Sequence, residues 1–120
     1  MTNVKRRRGL IGEAAAANFL NSKGYRIIVR NFRCSLGEVD IIAQDGKEIV
    51  FIEVRTRSST FYGTPQESVD VRKQYRLRLL ANYYLCQNGL TEIPCRFDVV
   101  AVQLNREDKV TNIEVIKGAF

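Results

Sequence analysis

The sequence contains no histidine. A Ser-His-Asp or Cys-His nucleophile system is therefore excluded, as is zinc held by imidazole. Cysteine is scarce: Cys34, Cys86 and Cys95 are an odd number, and no two are spaced as C-x-x-C. That pattern argues against a disulfide framework and reads as reduced thiols in a cytoplasmic protein. No apolar run is long enough to span a membrane, and the basic start MTNVKRRRGL leads into no signal-peptide core. Linkers, repeats and low-complexity stretches are also missing, which predicts a single domain over residues 1–120.

What the chain does have is enough apolar content for a core, at 45% hydrophobic residues. It also has an excess of cations, with 19 Lys and Arg against 13 Asp and Glu, or +6 in formal charge. A basic domain of this kind is a candidate for a polyanion partner, nucleic acid being the commonest, although a solvated basic surface gives the same number.

The stretch from Leu36 to Arg57, LGEVDIIAQDGKEIVFIEVRTR, organises the rest. Two apolar, β-branched runs flank Asp45-Gly46, the strongest local signal for a β-hairpin. With Asp45 and Gly46 as a two-residue loop, Gln44 pairs with Lys47, Ile42 with Ile49, Asp40 with Phe51 and Glu38 with Glu53. Alternation along the strands then puts Glu38, Asp40, Phe51, Glu53 and Arg55 on one face, with Val39, Ile41, Val50, Ile52 and Val54 on the other. Asp40 lies diagonal to Glu53, roughly 7–8 Å away at Cα, a separation that suits two carboxylates converging on one hard cation. A slip of one residue would send the two acids to opposite faces.

Around the hairpin, the chain reads α-β-β-β-α-β-β. A helix is expected from Gly9 to Lys23, with Ile11, Ala15, Ala16, Phe19 and Leu20 as its apolar stripe and Glu13 at the stripe's edge. The preceding KRRR, residues 5–8, reads as a solvated lead-in, with phosphate contact as the alternative. Tyr25 to Arg33 is the first strand and Cys34 to Gly37 a tight connection. A polar loop from Ser58 to Gly63 precedes a second helix that starts at Thr64-Pro65, or at Asp70, and runs to about Gln87. Its expected buried residues are Leu79, Leu80, Tyr83 and Tyr84, and its basic first half holds Arg72, Lys73, Arg76 and Arg78. Cys95 to Leu104 is a buried strand, Asn105 to Lys109 a turn, and Val110 to Ile116 an edge strand. Near-continuous apolar runs in the central strands predict a sheet covered on both faces, as in mixed α/β folds.

Asp40 and Glu53, with Glu13 as a third candidate, could supply oxygen ligands to Mg²⁺ or Mn²⁺. Such an ion acidifies a water and neutralises a phosphate under in-line attack. Arg55 is on the same face and could carry charge in the transition state. An Asp/Glu–Arg ion-pair network on an exposed sheet would leave the same pattern.

The combination Gly12-Glu13, Asn31, Gly37-Glu38-Val39-Asp40, Phe51-Ile52-Glu53-Val54-Arg55-Thr56-Arg57, Lys73, Ala81 and Arg96-Phe97-Asp98-Val99-Val100 closely resembles the YraN-like uncharacterised protein family. That family looks like a branch of the PD-(D/E)xK nucleases, which include restriction enzymes and archaeal Holliday-junction resolvases. The resemblance implies a restriction-endonuclease-like αβββαβ core, a mixed sheet flanked by helices. It also implies an acid on the first helix at Glu13, metal-binding carboxylates at Asp40 and Glu53, and a basic residue at Arg55. The superfamily pattern is Glu-x-Lys, and this chain departs from it with Arg55. A guanidinium keeps the charge but does not readily give up a proton. Lys73 is a candidate for the missing amine.

The expected function is a metal-dependent nuclease acting on DNA or RNA, including branched DNA. The alternative is a nuclease-shaped module that binds nucleic acid through Arg55, Arg57, Arg72, Lys73 and Arg76 without cutting it. A third reading is a protein–protein adaptor. The expected partner is nucleic acid, DNA foremost, with no membrane, and a homodimer is implied by analogy with the resolvases.

Overall fold

The computed structural model describes residues 2–58 and 64–120. Helix α1 (Thr2–Ser22) leads into strands β1 (Arg26–Cys34), β2 (Gly37–Asp45) and β3 (Glu48–Arg57). A 3-10 turn (Pro65–Ser68), helix α2 (Val71–Gln87) and strands β4 (Cys95–Leu104) and β5 (Val110–Ile116) follow. The five strands lie in chain order across one sheet, β1-β2-β3-β4-β5. Three pairings are antiparallel, while β3 and β4 run parallel. A parallel pair needs a crossover, and α2 supplies it. The result is an αβββαβ core with β5 added at one edge, the architecture expected from the sequence.

Both faces of the sheet are covered. On one, Leu77, Leu80 and Tyr84 of α2 pack on Ile42, Phe51, Phe97 and Val99. On the other, Ala16 and Leu20 of α1 pack on Ile41, Val50, Ile52, Val100 and Val102. Each fully buried branched or aromatic side chain contributes about 1.5–3 kcal/mol, which makes these two layers the main source of stability. Alanines on α1 let its axis approach closely. Gly12 sits close to the sheet as well: a Cβ there would stand 1.8 Å from Thr56 Oγ1 on β3.

Several expectations need correction. The first helix begins well before Gly9, so Lys5 to Arg8 are helical rather than a lead-in. Arg7 and Arg8 hold that first stretch by pairing with Asp108 in the β4–β5 turn, at 2.6 and 2.7 Å. Val71, not Pro65, opens the second α-helix, and the Asp70 carboxylate caps it by accepting from Lys73 N at 2.8 Å. The Thr64-Pro65 signal is real but local: it makes the 3-10 turn, where Thr64 Oγ1 bonds Glu67 Oε1 at 2.9 Å. Leu77, Leu80, Ala81, Tyr84 and Leu85 are the buried residues of α2, whereas Leu79 and Tyr83 face outward. Of the expected Ser58–Gly63 loop, residues 59–63 lie outside the described residues.

The hairpin register also differs. Asp45 pairs with Glu48, Ile42 with Phe51 and Ile41 with Ile52, so the loop is Gly46-Lys47, with Gly46 at φ +62°. Asp45 is held in the ladder because Arg96 of β4 bonds it at 2.6 Å and bonds Glu48 at 2.8 Å, tying together the two acids that close the hairpin. The displacement is two residues, and an even displacement leaves the face of every side chain unchanged. Val39 is the exception to the expected alternation. It packs with Ile42 in the α2-side cluster, so the alternation slips just before Ile41.

Candidate functional site

The β2–β3 ladder stops at Ile41 and Ile52, and the site begins where it stops. Past that point the Val54 N–H donates to Asp40 Oδ2 at 2.8 Å instead of to a β2 carbonyl. That bond fixes the Asp40 carboxylate at the mouth of the gap between β2 and β3. Glu53, one residue before Val54, is only 5% exposed. Two cations meet its carboxylate: Lys73 Nζ from the first turn of α2 at 3.4 Å, and Arg55 Nη2 from β3 at 3.5 Å. Arg55 Nη2 also donates to the Ser68 carbonyl at 3.1 Å, so the 3-10 turn orients the guanidinium. Arg55 Nε is buried and has no hydrogen-bond partner among the described residues.

Both carboxyls are held above their ordinary range. For Glu53 the largest cause is burial and the second is the Asp40 charge, with Lys73 and Arg55 pulling the other way. For Asp40 the largest cause is again burial, opposed by the Val54 hydrogen bond and the Lys73 charge. Glu13 of α1 is raised as well, by burial first and then by Asp40, while Asn31 and Arg30 lower it. The Asp40 charge thus raises the proton affinity of both Glu53 and Glu13, a pattern that a bound cation would relieve.

These groups line a groove of about 1060 Å³ between the first half of α1 and the start of α2. Glu13, Asp40, Glu53, Arg55, Arg57 and Lys73 all border it, so six of the eight residues singled out from sequence share one wall-to-wall space. Arg76 borders a smaller adjoining cavity, and Arg72 is on the outer surface of α2, away from the groove. Among the described residues, no three His, Cys, Asp or Glu side chains stand in the close grouping of an all-protein metal cage. The donor set is instead two carboxylates where the β2–β3 ladder ends, with Glu13 nearby, which suits a hard ion that keeps most of its water.

Four residues noted in the sequence but not assigned to the site also reach it. Lys5 and Arg8 border the groove because their helix starts early, and Arg8 also donates to Ser58 Oγ at 3.0 Å. Glu38 lies on the rim, paired with Arg33 at 2.8 Å. Asn31 has a left-handed backbone, φ 55°, on β1 beside Glu13. Asparagine tolerates that conformation better than most residues, and an Asn inside a β-branched run was the available signal.

Among the described residues, no helix is long and apolar enough to cross a membrane. Residues 12–102 match the Uncharacterised protein family UPF0102. Similar full-length relatives include a UPF0102 protein of Moorella thermoacetica, 66% identical with all of both chains covered. Another from Pelotomaculum thermopropionicum is 48% identical over all of both chains, and one from Symbiobacterium thermophilum is 50% identical over 98% of each. The chain belongs to the UPF0102 family, the YraN family that the sequence motifs resemble.

Proposed function

We propose that this UPF0102 chain is a metal-dependent phosphodiesterase that cuts nucleic acid, DNA foremost, in the groove between α1 and α2. The observation that carries the reading is the pair Asp40 and Glu53: a buried and a half-buried carboxyl, the Asp40 charge opposing ionisation of Glu53, with Lys73 and Arg55 converging on Glu53. Burying like charges together costs stability, and a structural ion pair has no need of it. Asp40 and Glu53 would hold Mg²⁺ or Mn²⁺, with Glu13 orienting from α1. When bound, the ion would lower the proton affinity of a water and offset phosphate charge.

The chain's own residues divide the remaining work. Lys73 can do what Arg55 cannot, because its ammonium could give a proton to the leaving oxygen whereas a guanidinium keeps its own. Arg55, steadied by the Ser68 carbonyl, would turn its guanidinium charge toward a phosphate oxygen in the groove. Arg57, Lys5 and Arg8 extend the cationic wall along the strand's path. Before a metal or phosphate arrives, Lys73 and Arg55 offset the Glu53 charge.

A second reading, binding without cleavage, is favoured by the missing third close carboxylate and by arginine in the Glu-x-Lys position. Incubation with supercoiled, single-stranded and four-way-junction DNA in Mg²⁺, Mn²⁺ or EDTA separates the two. Cleavage that needs metal and vanishes in Asp40→Asn supports the enzyme. Salt-sensitive binding with no cleavage in any metal supports the binding module, and absence of both rejects the nucleic-acid reading.

A further inference from the structure

Helix α2 turns an unusual face outward. Val71, Tyr75, Leu79 and Tyr83 recur every fourth residue and are 80, 63, 40 and 38% exposed. At ~100° per residue they form a stripe that winds slowly round the side opposite the core. The 17 residues of α2 hold no carboxylate, but they hold Arg72, Lys73, Arg76 and Arg78. Arg78 is occupied, lying over the Phe97 and Phe120 rings at 5.0 and 5.7 Å. Arg72, Arg76 and Tyr83 fall in one narrow column on the wheel, alongside Tyr75 and Leu79.

This face is continuous with the acid groove. A cavity of about 240 Å³ between α2 and the β1–β2 turn is bordered by Leu36, Glu38, Lys73 and Arg76. Glu38 and Lys73 also border the groove, so the two spaces adjoin across them. A strand whose phosphate sits by Lys73 can leave past Arg76 onto the exposed side of the helix.

We propose that the outer face of α2 is a stacking track for unpaired nucleotides, so that the favoured substrate carries a single-stranded segment. The proposal rests on the nucleic-acid reading above and adds the form of the substrate. Exposed aromatic rings interleaved with cations suit a chain of bases and phosphates, because every base has a π-face and every linkage a negative charge. In a duplex those base faces are covered by their neighbours, and the tyrosines would have nothing to stack on. A second copy of the chain fits less well. Two such helices face to face would set Arg72 and Arg76 against like charges, with no acid on either helix to answer them.

The test is fluorescence anisotropy of a labelled oligonucleotide, single-stranded or annealed to its complement, in EDTA so that nothing is cut. Single strand should bind more tightly than duplex. Tyr75→Ala and Tyr83→Ala should each weaken single-strand binding by about tenfold, the contribution of one stacked base, and leave duplex binding within about twofold. Tyr75→Phe should keep the parent affinity, since the ring and not the hydroxyl does the stacking. Unchanged thermal melting of the exposed-site variants guards against a folding artefact. Duplex binding equal to single-strand binding and indifferent to both tyrosines would overturn the track while leaving the phosphodiesterase reading intact. So would light scattering that shows a dimer dispersed by Leu79→Ser with no change in nucleic-acid affinity. Failure to bind either form brings down both readings together.

Discussion

Lys73 Nζ lies 3.4 Å from Glu53 Oε2, on the same carboxylate oxygen that Arg55 approaches from its own strand. The contact joins the first turn of α2 to the middle of β3. It brings an ammonium, beside the Arg55 guanidinium, to one buried acid. Both cations offset the charge of an acid that burial and Asp40 hold above its usual range.

On the proposed reaction Lys73 and Arg55 should separate kinetically, because an ammonium can release a proton that a guanidinium keeps. Lys73→Met is expected to lower the rate of metal-dependent cleavage by about 10²–10³-fold, the scale of losing a general acid–base group or a transition-state donor. Lys73→Arg should restore binding but not rate. Arg55→Lys should stay within about tenfold of the parent, since an amine is already present. Single-turnover cleavage with matched binding titrations gives each number.

The Asp40 carboxyl should also cost stability. Its folded proton affinity is raised above the ordinary value of 3.8, chiefly by burial. The folded chain therefore binds this proton more tightly than the unfolded chain does. Stability falls as pH rises from 3.8 through the raised value, and is recovered as pH drops back. Asp40→Asn keeps an oxygen for the Val54 N–H and removes the charge. It should melt about 4 °C higher than the parent at neutral pH, for a gain of about 1 kcal/mol. That gap should close as the pH approaches 4, on the order of the ordinary carboxyl range. Thermal melts across pH would show it, and an equal or lower Tm at neutral pH would contradict it.

The part-buried Arg96 should be costly to remove. It bonds Asp45, Glu48 and the fully buried Asp98, while Asp98 also accepts from Tyr25 at 2.9 Å and Gly118 N at 3.0 Å. Burial raises the Tyr25 hydroxyl, and its hydrogen bond to Asp98 raises it further. Arg96→Met strands the Asp98 charge and should destabilise the fold by about 3 kcal/mol in urea titration. Arg96→Met/Asp98→Asn should recover part of that loss.

Gly12 should resist replacement. On an open helix surface, Gly→Ala gains about 1 kcal/mol of helix propensity. Here the new Cβ would fall 1.8 Å from Thr56 Oγ1, so α1 must move off β3. The net change expected for Gly12→Ala is a loss of about 1–3 kcal/mol, the usual cost of overpacking. Since Glu13 is the next residue, the same shift should weaken metal binding measured by calorimetry.

The sequence by itself determined the element order and the two-sided sheet. Periodicity and turn residues are local properties, and the parity from Ile41 to Ile52 survives a hairpin loop displaced by two positions. It also determined the family, because Gly37-Glu38-Val39-Asp40 and Phe51 to Arg57 are contiguous strings. Only the tertiary structure decided the rest. The loop at Gly46-Lys47 was set by Arg96, which comes from a distant strand. The start of α1 depended on Asp108 at the far end of the chain. Leu79 and Tyr83 looked buried because a helix's apolar residues do not say which side will meet the sheet. Lys73 became the partner of Glu53 through the α2 crossover, a three-dimensional closure that no local spacing records.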